Sequence, residues 1–177
     1  ASGAARVDLV FDADLGFGIS RVDGFYFDTK PLNELEIDVD VTTPGLNASG
    51  ELAFLKVRVE DNAGLTRLHG QFTLDVRDPS GDGRLTFTEL TTTPDLGKLI
   101  DARLTAGAHV DLKLKSEFRF DDPETGEQDQ TDLFPSVGTN FVVDWNFLNA
   151  RTGAPLYGSA PVVTFKNVQL NLGSFFT

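Results

Sequence analysis

The chain has no cysteine and no methionine. Without thiolates it has no disulfide framework, no zinc–thiolate centre and no cysteine nucleophile. Histidine is almost absent too. His69 and His109 are the only two, so a centre of two histidines and one carboxylate would need both. Each lies in or beside a strand pattern and reads as a sheet residue. Basic residues are outnumbered, 15 against 27 acids, for a net charge of −12. No basic patch is available to displace phosphate counterions, which excludes nucleic acid as a partner. No apolar run approaches the roughly 18 residues of a transmembrane helix, so no membrane span is expected. The Gly-x-Ser-x-Gly elbow, the His-Glu-x-x-His pair and the P-loop are missing. No acid pair stands out as a glycosidase couple, and the chain reads as non-enzymatic.

What the sequence does have is alternation. Val110, Leu112, Leu114, Ser116, Phe118 and Phe120 alternate with Asp111, Lys113, Lys115, Glu117 and Arg119. Such a pattern is a strand of an antiparallel sheet with one wet face. The same period runs through Val7–Ala13, Leu35–Val41, Leu55–Val59, Phe72–Val76 and Phe141–Phe147. Near the end the parity changes between Phe165 and Val168, which predicts a bulge at Lys166 and Asn167. Proline and glycine clusters separate the runs. The reading is an all-β, antiparallel, sandwich-like domain of seven to ten strands, with one helix. Asp95 is expected to cap that helix, with Leu96, Leu99, Ile100 and Leu104 on one face and an end near Gly107. Phenylalanine, 15 residues against one Trp and two Tyr, suits a core with no polar group to satisfy.

One stretch names a chemistry. Residues 78–89 read Asp-Pro-Ser-Gly-Asp-Gly-Arg-Leu-Thr-Phe-Thr-Glu. They fit the calcium-loop pattern of an acid at position 1, oxygen ligands at 3 and 5, Gly at 6 and Glu at 12. Asp78, Ser80 and Asp82 would supply side-chain oxygens, Arg84 its carbonyl, Thr86 a direct or water-mediated contact, and Glu89 a bidentate carboxylate. Ser80 stands where Asp or Asn is usual, which removes one charge. The bland alternative is a hairpin turn, for which Asp-Pro-Ser-Gly-Asp-Gly is good chemistry. The incoming segment is a strand, so the expectation is an EF-hand-like loop grafted on a sheet. The acid-rich segment 121–132 reads first as a loop and second as a further cation site. Trp145, Tyr26 and Tyr157 are the polar-tipped aromatics through which a carbohydrate-binding module would stack on a surface glycan. Tyr26 has opposite parity to Phe25 and Phe27 and is expected at the surface, whereas Trp145 is expected in the core.

Several phrases resemble segments of very large secreted bacterial proteins of the calcium-binding, adhesin or haemolysin-type class. They are Asp14-Leu-Gly-Phe-Gly-Ile19, Gly24-Phe-Tyr-Phe-Asp-Thr29, Val41-Thr-Thr-Pro-Gly-Leu-Asn-Ala48, the loop from Asp78 to Glu89, and Val168-Gln-Leu-Asn-Leu-Gly-Ser-Phe-Phe176. The glycine-rich nonapeptide repeat of the calcium β-roll is absent. The resemblance implies one extracellular module, residues 1–177, cut from a longer chain. Calcium would stiffen it, and neighbouring modules or a glycan would be its partners.

Overall fold

A computed structural model describes residues 1–52, 54–118, 134–153 and 158–174. The chain is all-β and antiparallel, with one short α-helix. Eight strands form the large sheet: β1 (Arg6–Ala13), β4 (Leu35–Thr42), β5 (Asn47–Leu52), β6 (Leu55–Asp61), β7 (Arg67–Val76), β9 (Ile100–Phe118), β10 (Ser136–Arg151) and β11 (Val162–Asn171). β2 (Gly16–Ser20), β3 (Gly24–Asp28) and β8 (Arg84–Thr86) form a three-stranded sheet. The helix α1 (Phe87–Thr92) follows β8 directly. No described helix is long and apolar enough to cross a membrane.

The large sheet is a meander of long strands. β9 pairs with β10 on one side, and with β7 and β6 in succession on the other. β4 and β5 pair with β7 and β6 respectively. Residues 35–76 are therefore one long hairpin, with excursions at 43–46 and 62–66. The second excursion is tied to β9 at a single residue. The Asn62 amide donates to the Asp111 carbonyl at 2.9 Å, and the Asn62 side chain to the Asp111 carboxylate at 3.1 Å. The Thr66 hydroxyl accepts from the Asp111 amide and donates to its carbonyl. Ala63 and Gly64, with φ of 60° and 78°, make the tight return, and the Asp61 carboxylate accepts from the Gly64 and Thr66 amides inside it.

Residues opposite one another across a ladder share a face, so the register sorts the side chains. One row reads Phe11, Ile37, Phe72, Leu104, Ala150 across five strands. The next reads Leu9, Val39, Gly70, Ala106, Leu148, and the next Val7, Val41, Leu68, Ala108, Trp145. Phe141 continues the apolar side to Phe165, and Val143 to Val163. The other side is mostly polar, with rows such as Asp12, Glu36, Thr73, Arg103, Arg151, although the buried Val142 lies there opposite Asp111. There Asp101 sits between Arg77 and Arg151. Their hydrogen bonds, Arg151's first, hold its carboxyl at about 2. Glu117 is buried between Arg58 and Lys115. Burial pushes its pKa up, but Lys115, Arg58 and Lys56 win and lower it.

The small sheet and α1 lie at the end of the large sheet that carries Val76 and Ile100. Leu15, Phe27, Leu85, Leu90 and Leu99 meet those two residues around an apolar cavity of about 220 Å³. Leu85 and Leu99 are buried there. Glu34 is buried beside them at 2% exposure, with one carboxylate oxygen accepting from the Val76 amide and the other unpartnered. Burial raises its pKa, and the charges of Asp75 and Asp14 push the same way.

The structure corrects the sequence reading at several points. Residues 100–107 are strand, not helix. The Asp95 segment makes only a 3-10 turn, Leu96–Lys98, before β9 begins. Ala102, Leu104 and Ala106 alternate with Asp101, Arg103 and Thr105, and that period of two overrode the weaker helical spacing. The one helix lies earlier and contains Glu89. Among the described residues there are eleven strand segments where seven to ten were expected, because the long hairpin is interrupted and β8 is short. Trp145 is not core. It is 43% exposed, and its indole nitrogen donates to the Ser159 carbonyl. The bulge near Lys166 and Asn167 is present: the β10–β11 register shifts opposite it, and Asn167 has φ of 53°. Segment 121–132 and Tyr157 lie outside the described residues.

Candidate metal loop

Residues 78–89 connect the two sheets. β7 ends at Val76, the loop turns through Gly81 and Gly83, and β8 then pairs Arg84, Leu85 and Thr86 with β3. Gly81 and Gly83 have φ of 77° and 81°, a left-handed conformation that costs glycine little. The turn is organised on Asp78. One of its carboxylate oxygens accepts from the Ser80 amide at 2.8 Å and hydroxyl at 2.7 Å, and the other accepts from the Gly83 amide at 2.7 Å. Partial burial pushes the Asp78 carboxyl up. The Ser80 hydroxyl and the Gly83, Ser80 and Gly81 amides more than offset this and hold it at about 2.

Glu89 enters from α1. Thr86 caps that helix: its hydroxyl accepts from the Glu89 amide at 3.2 Å, while the Glu89 carboxylate accepts from the Thr86 amide at 2.9 Å and hydroxyl at 2.8 Å. The result is a complete capping box. The Thr86 amide is the main reason that the Glu89 pKa is lowered. Burial opposes it, the Thr86 and Ser80 hydroxyls add to it, and the nearby Asp78 charge works against it. The Ser80 hydroxyl donates to Asp78 and is near enough to Glu89 to help lower its pKa.

The loop therefore brings together its first, third and twelfth positions, Asp78, Ser80 and Glu89. It does not bring in the others as side-chain ligands. Asp82 is exposed and accepts from the Arg84 amide at 2.9 Å, and the Thr86 hydroxyl is held in the capping box. The Arg84 main chain lies in the β3–β8 ladder. Among the described residues no group of three or more His, Asp or Glu side chains is arranged to hold a metal ion. A carboxylate has about four lone-pair positions, so Asp78 and Glu89 keep acceptor capacity beyond the bonds they make. Two ionised carboxylates with a hydroxyl between them form a hard-oxygen donor set of the kind calcium takes.

Two features of this site were invisible to the loop pattern. The Arg84 side chain, considered only for its carbonyl, reaches the Asp23 carboxylate at 3.0 Å and lies 4.7 Å over the Tyr26 ring. Tyr26 is accordingly half-buried, its ring lying across Gly18. Asp23 stands far away in sequence, and no local signal announces that pairing. The capping box had a signal, the spacing Thr-x-x-Glu before Leu90. The two histidines line one open pocket together with Asp144. His69 pairs with Asp40 at 3.2 Å and His109 with Asp144 at 2.6 Å, on the polar face. Compared with protein-family models, curated proteins and solved structures, the chain matches none.

Proposed function

We propose that this chain is a non-enzymatic, calcium-stabilised structural or adhesive module of a large extracellular bacterial protein. The observation that carries the reading is the meeting of Asp78, Ser80 and Glu89 in a loop whose spacing already fits calcium. The loop's position adds support. It joins the end of β7 to β8 and α1, so an ion there would clamp the small sheet to the large one. The net charge of −12 is a further support, because a bound divalent cation relieves self-repulsion. Calcium that binds the native loop and not the unfolded chain stabilises by mass action, about 2.7 kcal/mol at 100 times the dissociation constant. A sandwich architecture fits the same reading, since the apolar side of the large sheet calls for a second layer and the small sheet lies against its Val76–Ile100 end.

Calorimetric titration of chelator-stripped protein tests this. One saturable calcium per chain is expected, with the heat lost in Asp78→Asn. A flat titration would reduce residues 78–89 to a turn. A second reading, a carbohydrate-binding module with a structural calcium, has one observation in its favour. Trp145 is part-exposed with Phe147 beside it at 5.2 Å between ring centres. Glycan binding abolished by Trp145→Ala would carry it.

A further inference from the structure

The large sheet presents an uncovered apolar face beyond the reach of the small sheet. At its edges Leu9 and Phe11 of β1 are 66% and 62% exposed, and Phe165 and Leu170 of β11 are 58% and 64% exposed. Nearer the middle Leu68 and Trp145 remain open at 46% and 43%. Isolated exposed apolar residues need no explanation, but a continuous apolar face of this extent marks an interface.

We propose that this face is the interface with a second copy of this chain, the two sheets meeting apolar side to apolar side as the layers of a sandwich. Three observations favour a copy over any other occupant. The first is area. Six strands about 4.8 Å apart and about ten residues long make a face of roughly 1,000 Å². Two copies would then bury about 2,000 Å², which is what a stable dimer requires.

The second is charge. Among the described strand positions of the apolar face the one charged residue is Asp61, whose carboxylate is occupied by the Gly64 and Thr66 amides. A charged ligand would find nothing to recognise there. Two copies, by contrast, would meet without bringing their acidic sides together. With sheets about 10 Å apart and the polar side chains outside them, those sides stand about 20 Å apart, beyond the roughly 8 Å screening length at physiological salt. The third is relief. Gly70, Ala106 and Ala108 form a low area mid-sheet flanked by Phe72 and Trp145. Large beside small on one surface is the self-complementary pattern an isologous pair needs.

Sedimentation or light scattering on the 177-residue chain, from about 1 to 100 μM, tests the pairing. The expected mass is twice 19.2 kDa. It should fall to the monomer value in Leu9→Glu/Phe11→Glu and, independently, in Leu170→Glu, each with its β-sheet circular dichroism retained. Lys113→Glu, an exposed position on the polar side, should leave the pair intact. A wild-type chain that stays monomeric at 100 μM overturns the proposal. So does a pair that survives both apolar-face variants, or one lost equally in Lys113→Glu. A 19.2 kDa chain that purifies with bound lipid, or floats with phosphatidylcholine vesicles in place of pairing, also overturns it. If either apolar-face variant unfolds, hydrogen exchange on the wild type decides: protection of the β1 and β11 amides must rise with protein concentration.

Discussion

Glu89→Gln separates the two roles that Glu89 holds. Glutamine keeps an oxygen to accept from the Thr86 amide and hydroxyl, so the capping box survives. What is lost is the charge and the bidentate carboxylate that a calcium ion needs. In chelator the variant should melt modestly below the wild type, because the carboxylate whose charge the Thr86 amide stabilises is gone. In calcium at about 100 times the wild-type dissociation constant, the wild type gains about 2.7 kcal/mol. For a chain of this size each kcal/mol moves the melting temperature by about 2–4 °C, so the wild type should rise by about 5–10 °C and Glu89→Gln should stay behind. Thr86→Ala gives the opposite signature. It removes the cap, costs about 1 kcal/mol, and lowers the melt by a similar amount with or without calcium. Scanning calorimetry of the three proteins in chelator and in calcium reads all of this. Equal calcium shifts in wild type and Glu89→Gln would refute the reasoning.

Three other outcomes follow from the geometry. Asp78, held at about 2, and Glu89, also lowered, are groups whose folded pKa lies below the unfolded one. Their contribution is complete above about pH 5 and is lost as pH falls toward 2; denaturant titrations across that window in chelator should show the slope, and Asp78→Asn should flatten it. Glu34 has the reverse sign. Its folded pKa is raised, so its contribution fades as pH rises through that value, and Glu34→Gln should gain stability over the wild type with rising pH in the same titrations. Leu99→Ala, at a residue 1% exposed beside the apolar cavity, should cost about 2–5 kcal/mol of unfolding free energy.

Strand period was the legible part of this chain. The alternation of Leu35 to Val41 and of Val110 to Phe118 placed each side chain on the correct face, since a strand has only two faces to choose from. The reversal of parity at Asn167 located a bulge for the same reason. Helix placement failed because Leu96, Leu99, Ile100 and Leu104 fit a helical face while the intervening Asp101 and Arg103 fit a strand. Only the pairing with β7 and β10 decides between them, and that is tertiary information. At the candidate site, the spacing singled out Asp78, Ser80 and Glu89, and the fold keeps them in one loop with the Ser80 hydroxyl on Asp78. The Arg84–Asp23 pair was not legible, because it depends on where the β2–β3 hairpin docks. Trp145 was misjudged because parity says which face a residue takes and not whether that face is covered.

The ties at Asp111 bear on how the long hairpin finds its place. A sheet whose side chains alternate with a period of two is indifferent to a slip of two residues, which keeps every apolar group on its own face. Against a 19-residue β9 such slips would be numerous and nearly equal in burial. Asn62 and Thr66 remove the degeneracy, because they reach across an interrupted strand to the main chain and carboxylate of one residue. Displacing the hairpin by two would set Asn62 opposite His109 or Lys113, neither of which carries a carboxylate, and would leave Asp111 part-buried with its amide and carbonyl unanswered. The hydrophobic pattern makes the sheet, and the notch at Asp111 numbers its rungs.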